Sequence, residues 1–211
     1  MIYSKYNKEI EKDIYNNNKY IVGVDEVGRG PLAGPVVACA VVMNSKRIDG
    51  VTDSKKLSKK NLIKFDKLIR ENALAFSFGI KNNKIIDKIN IKNATKLAMI
   101  ESIDKLKIKN KKVIPDIVLI DAERLDIPYK QLNIVKGDLY NYTISCASIL
   151  AKVFRDNIMI KFDKIYEGYD FINNKGYGTK KHFYGIDKFG VTPIHRLSFL
   201  NKYFERQISF L

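Results

Sequence analysis

The sequence has few of the residues on which several protein classes depend. Its 211 residues include no tryptophan, two cysteines, two histidines and five prolines. Cys39 and Cys146 lie in apolar surroundings and lack the spacing of a metal-binding pair. Two histidines are too few for a zinc site without other ligands. These shortages argue against a disulfide scaffold or a zinc protein and favour a protein with reduced thiols.

Long hydrophobic runs are also absent. The longest, residues 35–43, is well short of the ~18 apolar residues that a membrane-spanning helix needs. The first twenty residues are charged throughout and do not resemble a signal peptide. We therefore expect a cytoplasmic protein with no membrane partner.

Acidic residues are scarce relative to basic ones. The chain has 38 Lys and Arg against 23 Asp and Glu, a net charge of +15. Such an excess favours a polyanionic partner, with nucleic acid ahead of a membrane surface. Biased composition is the alternative origin, because residues 82–93 are rich in Lys, Asn and Ile and Lys is a default surface residue. The charge favours nucleic acid without deciding the partner.

The order of apolar runs predicts an α/β fold with a mixed five-stranded sheet flanked by helices. Strands are predicted at residues 20–24, 36–42, 73–80, 117–120 and 134–135, and helices at 58–71, 91–108 and 143–162. After residue 168 the sequence is rich in Gly, aromatics and Lys, with helical turns predicted at 180–188 and 196–206. We therefore divide the chain into a short arm (1–19), an α/β domain (20–167) and a C-terminal helical segment packed on it (168–211).

Four acidic residues follow predicted strands. Asp25 and Glu26 end the first strand, Asp121 ends the fourth, and Asp138 follows the fifth. Functional residues of open α/β sheets gather beyond the carboxyl ends of strands. Neighbouring carboxylates repel one another, and a divalent cation relieves that repulsion. Acids at strand ends are also common as caps and solvated turn residues, which is the competing interpretation.

Asp25 and Glu26 raise a further question of geometry. Successive strand residues point to opposite faces, so both serve one site only if the chain bends nearby. Gly28 makes a bend plausible. The glycine-rich turn at 28–35 is not a dinucleotide fingerprint, because its spacing is wrong and a strand-like run follows it. Its glycines instead suit close approach of the backbone to a ligand, or a tight hairpin turn as the alternative.

Several motifs together resemble the bacterial ribonuclease HII family, the type 2 ribonucleases H. The most specific is Gly-Val-Asp-Glu-Val-Gly-Arg-Gly-Pro-Leu-Ala-Gly-Pro-Val at 23–36. The others follow in the family's order, at residues 53–57, 136–138, 144–156, 175–182 and 195–199. They extend over residues 20 to 199, and the set is very specific.

The resemblance implies a ribonuclease H-like fold and hydrolysis of the RNA strand of RNA–DNA hybrids. It also implies incision on the 5′ side of single ribonucleotides in duplex DNA, leaving 3′-hydroxyl and 5′-phosphate ends. The family's catalytic and metal-binding carboxylates match Asp25, Glu26, Asp121 and Asp138, which would hold Mn²⁺ or Mg²⁺, two ions during turnover. The motif that senses the ribose 2′-hydroxyl matches Gly28, Arg29 and Gly30. Tyr177 matches the tyrosine that stacks on the deoxyribose after the junction.

Some positions depart from the family pattern. Ala122 replaces the more usual Gly after the third Asp, Cys146 stands where Ala is typical, and residues 140–143 differ from the common stretch. None of these is a carboxylate of the site. The related ribonuclease HIII has a different glycine motif and a large N-terminal domain, so it is disfavoured as the match.

Basic residues are candidates for contacts with the duplex backbone, against the alternative of ordinary surface charge. Lys55 and Lys56 lie just before a predicted helix, where phosphate binds well. Lys152 and Arg155 are three residues apart on one helix and are expected to share a face. His182 and His195 are better suited to structural hydrogen bonds than to general-base catalysis.

The expected partners are RNA–DNA hybrid and ribonucleotide-containing duplex DNA, acted on by a monomer. The tail at 205–211 ends in apolar residues, which suit a sliding-clamp contact. The support is weak, because the tail lacks a convincing clamp motif. One competing function is another nuclease of the same fold, a resolvase or transposase, which would lack the Gly-Arg-Gly turn and Tyr177. The other is a non-catalytic hybrid-binding protein, in which four acids would weaken binding to phosphates.

Overall fold

The computed structural model describes residues 2–3 and 8–208 and arranges them as an α/β fold around one mixed sheet. The strands are β1 (Ile2–Tyr3), β2 (Ile21–Val27), β3 (Val36–Met43), β4 (Ala73–Lys81), β5 (Lys107–Ile108), β6 (Lys111–Lys112), β7 (Ile117–Asp121) and β8 (Gln131–Ile134). The α-helices are α1 (Lys8–Asn17), α2 (Lys59–Asn72), α3 (Asn83–Asp104), α4 (Gly137–Tyr140), α5 (Tyr142–Ile165), α6 (Phe171–Asn174), α7 (Lys180–Phe189) and α8 (Leu197–Ile208), with a 3₁₀ turn at Ser54–Lys56.

The main sheet has the strand order β1-β8-β7-β2-β3-β4. The chain passes antiparallel from β2 to β3 to β4, and β7 and β8 then join parallel on the other side of β2. The predicted mixed sheet is confirmed by its five longer strands. Two-residue β1 adds a sixth strand at the edge beside β8.

The core lies on both faces of the sheet. Every residue of β3 is buried, which explains its continuous apolar sequence. One face of β2 and β3 packs against α3, with Ala94, Ala98 and Met99 in the contact. The opposite face packs against α2 and α5. A Cβ added at Gly23 in β2 would lie 2.5 Å from the Thr143 carbonyl, so α5 approaches the sheet very closely there.

Three predicted boundaries were wrong for local reasons. The helix predicted to end at residue 108 ends at Asp104, because Lys107–Ile108 form β5. The long helix α3 begins at Asn83 instead of residue 91, because the Asn82 side chain caps an additional first turn. Asn90, at φ 65°, kinks the helix just before the predicted start. The strand predicted at 134–135 lies earlier, at β8, because Lys136 adopts the left-handed conformation and ends the extended chain.

The predicted C-terminal helical segment is confirmed and consists of α6, α7 and α8. Its apolar side chains form a cluster with Ala33 from the turn after β2 and Met159 from α5. This cluster fixes the segment beside the carboxyl end of β2. Residues 209–211, within the tail considered for a sliding-clamp contact, lie outside the described residues. No helix in the described ranges is long and apolar enough to cross a membrane. The domain boundaries stay a prediction.

Candidate active site

Three neighbouring strands bring the four predicted carboxylates to one edge of the sheet. Strands β2, β7 and β8 are parallel, and the pairing of β2 with β7 ends at Val24 and Ile120. Asp25 and Asp121 are the next residues on those two strands. Asp138 lies in α4, directly after β8. Because parallel strands end at the same edge, their terminal side chains meet there.

The turn after β8 attaches Asp138 to this edge. The backbone N–H of Gly137 donates to Oδ1 of Asp121 over 2.6 Å. Lys136, at φ 58°, makes the sharp turn that precedes this contact. The Ser145 hydroxyl donates to the Asp138 carbonyl oxygen, 2.8 Å away, and ties the turn to α5. Asp121 therefore positions the peptide that carries Asp138.

Strand β2 does not bend between Asp25 and Glu26. Its antiparallel register with β3 continues without a break to Val27. Asp25 is buried at 4% exposure, and the Glu26 side chain is 12% exposed. Both side chains are nevertheless close enough to Asp121 for its negative charge to raise their pKa values. The bend expected at Gly28 occurs after both acids, so it is not what brings them into one site.

Burial and mutual repulsion make this cluster unfavourable when it is fully ionised. Burial raises the pKa of Asp25 well above its ordinary value, and the charges of Glu26, Asp121 and Asp138 raise it further. Burial also raises the pKa of Glu26, to about 6, although Arg29 opposes the shift. The pKa of Asp121 is raised mainly by burial, while the Gly137 hydrogen bond lowers it.

Two cations border the carboxylates. Arg29 Nη1 lies 3.4 Å from Oε1 of Glu26 and 3.2 Å from Oε1 of Glu123. Lys55 Nζ lies 3.1 Å from Oδ2 of Asp138. Glu123 was missed by the sequence reasoning. Its one signal in the sequence is its place two residues after Asp121.

The donor set fits a hard divalent cation. All four groups offer carboxylate oxygens, the ligand type that Mg²⁺ and Mn²⁺ prefer. Oε2 of Glu26 is buried and has no hydrogen-bond partner in the described structure. Across residues 2–3 and 8–208, no group of three acidic, His or Cys side chains is close enough together to hold one ion in the arrangement shown. A bound cation would both satisfy Glu26 and relieve the repulsion that raises these pKa values.

Two buried arginines shape the glycine-rich turn beside the carboxylates. Arg196 donates to the carbonyl oxygens of Gly28, Arg29 and Gly34, at 2.6, 2.9 and 3.0 Å. Arg155 donates from Nε to Pro35 over 2.9 Å and from Nη2 to Ala33 over 3.3 Å. Burial lowers the pKa of Arg155 to about 10 and that of Arg196 to about 9.

The predicted duplex contact of Arg155 was wrong. Its side chain is 1% exposed, and its third donor, Nη1, reaches the Lys175 carbonyl at 3.0 Å. Helical spacing does place it near Lys152, but the C-terminal segment covers this part of α5. The turn needs glycine at position 28, because φ is +91° there and a Cβ would overlap the Arg155 guanidinium.

Tyr177 lies over the same turn. The residue is 47% exposed, and a Cβ added at Gly30 would be 3.3 Å from its Cε1 atom. Its carbonyl oxygen lies 2.9 Å from Nδ1 of His182. His182 and His195 are buried and hydrogen-bonded to each other, which agrees with the structural role expected for them. The turn and Tyr177, 147 residues apart in sequence (177 − 30), thus form one surface.

The remaining predicted lysines border this surface in different ways. The Lys55 side chain is 79% exposed although its ammonium contacts Asp138. Lys56 is exposed at the end of the 3₁₀ turn. Lys152 is partly buried and pairs with Asp156 at 2.8 Å. A phosphate contact by Lys152 therefore has to compete with an existing ion pair.

The fold and this site together are those of a ribonuclease H-like enzyme. The structure is similar to ribonuclease H2 from Pyrococcus horikoshii OT3, with a TM-score of 0.73 and 24% identity over 89% of this chain and 98% of that one. It is also similar to ribonuclease HII from Archaeoglobus fulgidus, solved in complex with PCNA, with a TM-score of 0.71 and 20% identity over 85% and 94% of the two chains.

A further neighbour is Bst-RNase HIII in complex with Mn²⁺, with a TM-score of 0.64 and 18% identity over 90% of this chain and 70% of that one. The family model described as Ribonuclease HII matches residues 22–202. The chain belongs to the ribonuclease HII family, and it is an endoribonuclease that acts on RNA–DNA hybrids. Membership in this family sets aside the resolvase, transposase and non-catalytic alternatives.

Proposed function

We propose that this enzyme both hydrolyses the RNA strand of RNA–DNA hybrids and incises duplex DNA on the 5′ side of single ribonucleotides. The products carry 3′-hydroxyl and 5′-phosphate ends. The observation that carries the proposal is the placement of four acids at the ends of β2, β7 and β8, beside the turn at 28–30. One surface thus combines groups for phosphodiester hydrolysis with a backbone able to read the sugar.

The carboxylates of Asp25, Glu26, Asp121 and Asp138 are the proposed ligands of two Mg²⁺ or Mn²⁺ ions. Such ions, when bound, supply activation of a water molecule and stabilisation of the leaving oxygen. The contribution of the chain is positioning. The Gly137 N–H holds Asp121 at 2.6 Å, and the Ser148 hydroxyl hydrogen-bonds to Asp25. Burial of Asp25 and Glu26 keeps the carboxylates away from competing water.

The 2′-hydroxyl is the group that distinguishes RNA from DNA. We assign its recognition to the backbone of Gly28, Arg29 and Gly30. The position of Tyr177 beside Gly30 supports this assignment, because it places an exposed aromatic residue where its ring can pack on the next sugar. Sensing the ribose and stacking on the deoxyribose after it would together select an RNA–DNA junction.

Phosphate contacts are assigned to Lys55, Lys56 and Lys152. Lysines on an open face add affinity without sequence preference and make binding sensitive to salt. Lys55 also contacts Asp138, so it lies where the duplex backbone meets the carboxylates. We further propose a cytoplasmic monomer that serves DNA replication and repair. We add a sliding-clamp contact as a secondary proposal, which the PCNA complex of the A. fulgidus enzyme supports.

The test is cleavage of duplex DNA that carries one ribonucleotide, with Mg²⁺ or Mn²⁺, followed by mapping of both product ends. We expect one incision, 5′ of the ribonucleotide, with 3′-hydroxyl and 5′-phosphate ends. Asp25→Asn should abolish the incision, whereas Asp104→Asn, at an exposed ion pair with Lys112, should retain it. Cleavage of RNA–DNA hybrid without incision at a single ribonucleotide would overturn the proposal, and so would cutting of an all-DNA duplex.

A further inference from the structure

Arg196 is a buried cation whose hydrogen-bond donors all serve one loop. It is 0% exposed, and no carboxylate in the described residues lies within ion-pair distance of it. Its Nη2 and Nη1 donate to the carbonyl oxygens of Gly28 and Arg29, at 2.6 and 2.9 Å, and its Nε donates to Gly34 at 3.0 Å. A buried charge is costly unless it is hydrogen-bonded, so these contacts fix both the guanidinium and the loop.

These contacts determine where the N–H groups of the loop point. In a trans peptide the C=O and N–H bonds lie in the peptide plane and point in opposite directions. The Gly28 carbonyl points at Arg196, so the Arg29 N–H points away from it. The Arg29 carbonyl also points at Arg196, so the Gly30 N–H points away as well. Neither N–H donates a hydrogen bond within the described part of the chain.

The outward direction is the side open to a ligand. Along the turn, Gly28 is buried, Arg29 is partly exposed and Gly30 is exposed. Two successive N–H groups that point outward form a concave donor pair of the kind that binds an oxygen-rich or anionic group. The chain offers this pair beside Tyr177, whose Cε1 would lie 3.3 Å from a Cβ added at Gly30.

Arg196 is itself held in place from three sides. Its backbone N–H donates to the Leu32 carbonyl over 2.8 Å. Asn83 donates to the carbonyl oxygen of His195 at 2.8 Å. Asp87 accepts from the backbone N–H of Leu197 at 3.0 Å. The backbone at residues 195–197, from which the guanidinium extends, is therefore held by α3 and by the glycine-rich turn.

We propose that Arg196 is a positioning residue for ribose recognition, which orients the Arg29 and Gly30 N–H groups toward the 2′-hydroxyl of the substrate. This inference rests on the proposed function, which assigns the 2′-hydroxyl to this turn. Arg196 does not touch the substrate. It acts by directing two peptide planes, so its loss should reduce discrimination between ribose and deoxyribose more than it reduces affinity for a duplex in general.

The test compares two affinities of Arg196→Lys, measured by fluorescence anisotropy in EDTA so that no hydrolysis occurs. One probe is duplex DNA with a single ribonucleotide, and the other is the all-DNA duplex of the same sequence. Lysine keeps the charge but cannot make the three directed contacts. We define the preference as the Kd for the all-DNA duplex divided by the Kd for the ribonucleotide duplex. We expect this ratio to fall about tenfold in Arg196→Lys, the order expected for misaligned hydrogen bonds. The Kd for the all-DNA duplex should be nearly unchanged.

Leu200→Ala is the matched control for lost stability. Leu200 is fully buried in α8, four residues after Arg196, and contributes to the apolar cluster of the C-terminal segment. Its truncation should lower the melting temperature and leave the ratio of Kd values as in the unmodified protein. An unchanged ratio in a folded Arg196→Lys protein would overturn the proposal, and so would an equal fall in Leu200→Ala.

A second measurement needs no variant. Amide hydrogen exchange of the unmodified protein should show slower exchange at Arg29 and Gly30 with the ribonucleotide duplex than with the all-DNA duplex. Equal exchange in the two complexes would overturn the orientation of the peptides inferred from Arg196. If the unmodified protein shows no preference for the ribonucleotide duplex, the proposed 2′-hydroxyl recognition fails. A preference retained in Arg196→Lys refutes only the role of Arg196.

Discussion

His182 Nε2 lies 3.0 Å from His195 Nε2, in the buried interior of the C-terminal segment. The Thr192 backbone N–H donates to Nδ1 of His195 at 2.8 Å, so the proton of His195 lies on Nε2. His195 then donates to His182, whose own proton lies on Nδ1 and reaches the Tyr177 carbonyl at 2.9 Å. This chain of hydrogen bonds needs both rings to be neutral, and it ends at the residue that lies over the glycine-rich turn.

Acid should weaken this chain. Burial and the neighbouring His182 lower the pKa of His195 to about 4, from an ordinary value of 6.5. The unfolded chain therefore binds the proton first, and stability present above pH 6.5 is lost as pH falls toward 4. The full loss is about 3 kcal/mol. The check is urea denaturation of the unmodified protein and of His195→Gln between pH 7 and 4. The variant should lack this part of the pH dependence. An equal dependence of the free energy of unfolding on pH in the two proteins would contradict the prediction.

Glu26 should respond to pH in the opposite direction when no metal is bound. Its pKa rises from 4.5 to about 6 on folding, mainly through burial. The folded protein holds this proton more tightly, so stability is full below pH 4.5 and falls as pH rises through 6. At pH 7 in EDTA, Glu26→Gln should increase the free energy of unfolding by about 2 kcal/mol.

Binding of Mn²⁺ should reverse the stability advantage that Glu26→Gln has in EDTA. Mn²⁺ should raise the melting temperature of the unmodified protein, because a ligand that binds only the folded state stabilises it. It should raise that of Glu26→Gln much less. Asp104→Asn serves as the control and should behave like the unmodified protein in both conditions. An equal response of Glu26→Gln and the unmodified protein to Mn²⁺ would remove Glu26 from the metal ligands.

Gly28→Ala should be far more damaging than Gly190→Ala. Both glycines have positive φ, +91° and +77°, so alanine costs about 1–2 kcal/mol at either position. A Cβ at position 28 would also overlap Arg155, whereas nothing lies within 4 Å of one at position 190. Overpacking should add roughly 1–3 kcal/mol at position 28. Chemical denaturation measures the difference, and similar losses for the two variants would contradict the packing described.

Ala122→Gly should stabilise the protein. Ala122 has φ 51°, a left-handed conformation that costs an L-residue about 1–2 kcal/mol. Glycine removes this strain and adds some unfolded-state entropy, for a net gain of about 0.5–1 kcal/mol. Ala98→Gly, in the interior of α3, should instead destabilise by about 1 kcal/mol. Thermal melting of the two variants checks both signs, and a loss of stability in Ala122→Gly would contradict the strain.

The sequence was sufficient to predict the sheet and the four acids because strand ends and apolar runs are local signals. Asp25 and Asp121 each follow a β-branched run directly, and the parallel order of β2 and β7 brings them together. The edge strand β1 and the hairpin of β5 and β6 were not predicted, because two-residue strands leave no periodicity to detect.

The contacts that shape the glycine-rich turn were beyond the reach of local patterns. Arg155 was interpreted as a surface residue because helical spacing places it beside Lys152. It is buried because the glycine-rich turn, about 120 residues earlier in the chain, and Lys175 from the C-terminal segment both cover it. Arg196 contacts Gly28 across 168 residues, and nothing in its immediate sequence indicates a buried arginine. Its occurrence in the His-Arg motif of the family was the available signal, but that motif does not say what the arginine contacts.

The most direct test of the carboxylate site is single-turnover cleavage of the RNA strand in an RNA–DNA hybrid, with Mn²⁺, with Mg²⁺ and with EDTA. The enzymes compared are the unmodified protein, Asp104→Asn, and the four variants Asp25→Asn, Glu26→Gln, Asp121→Asn and Asp138→Asn. We expect cleavage only with a divalent ion, retained in Asp104→Asn and reduced at least about 100-fold in each of the four. Cleavage in EDTA, or full activity in any folded variant of the four, would contradict the proposed metal site.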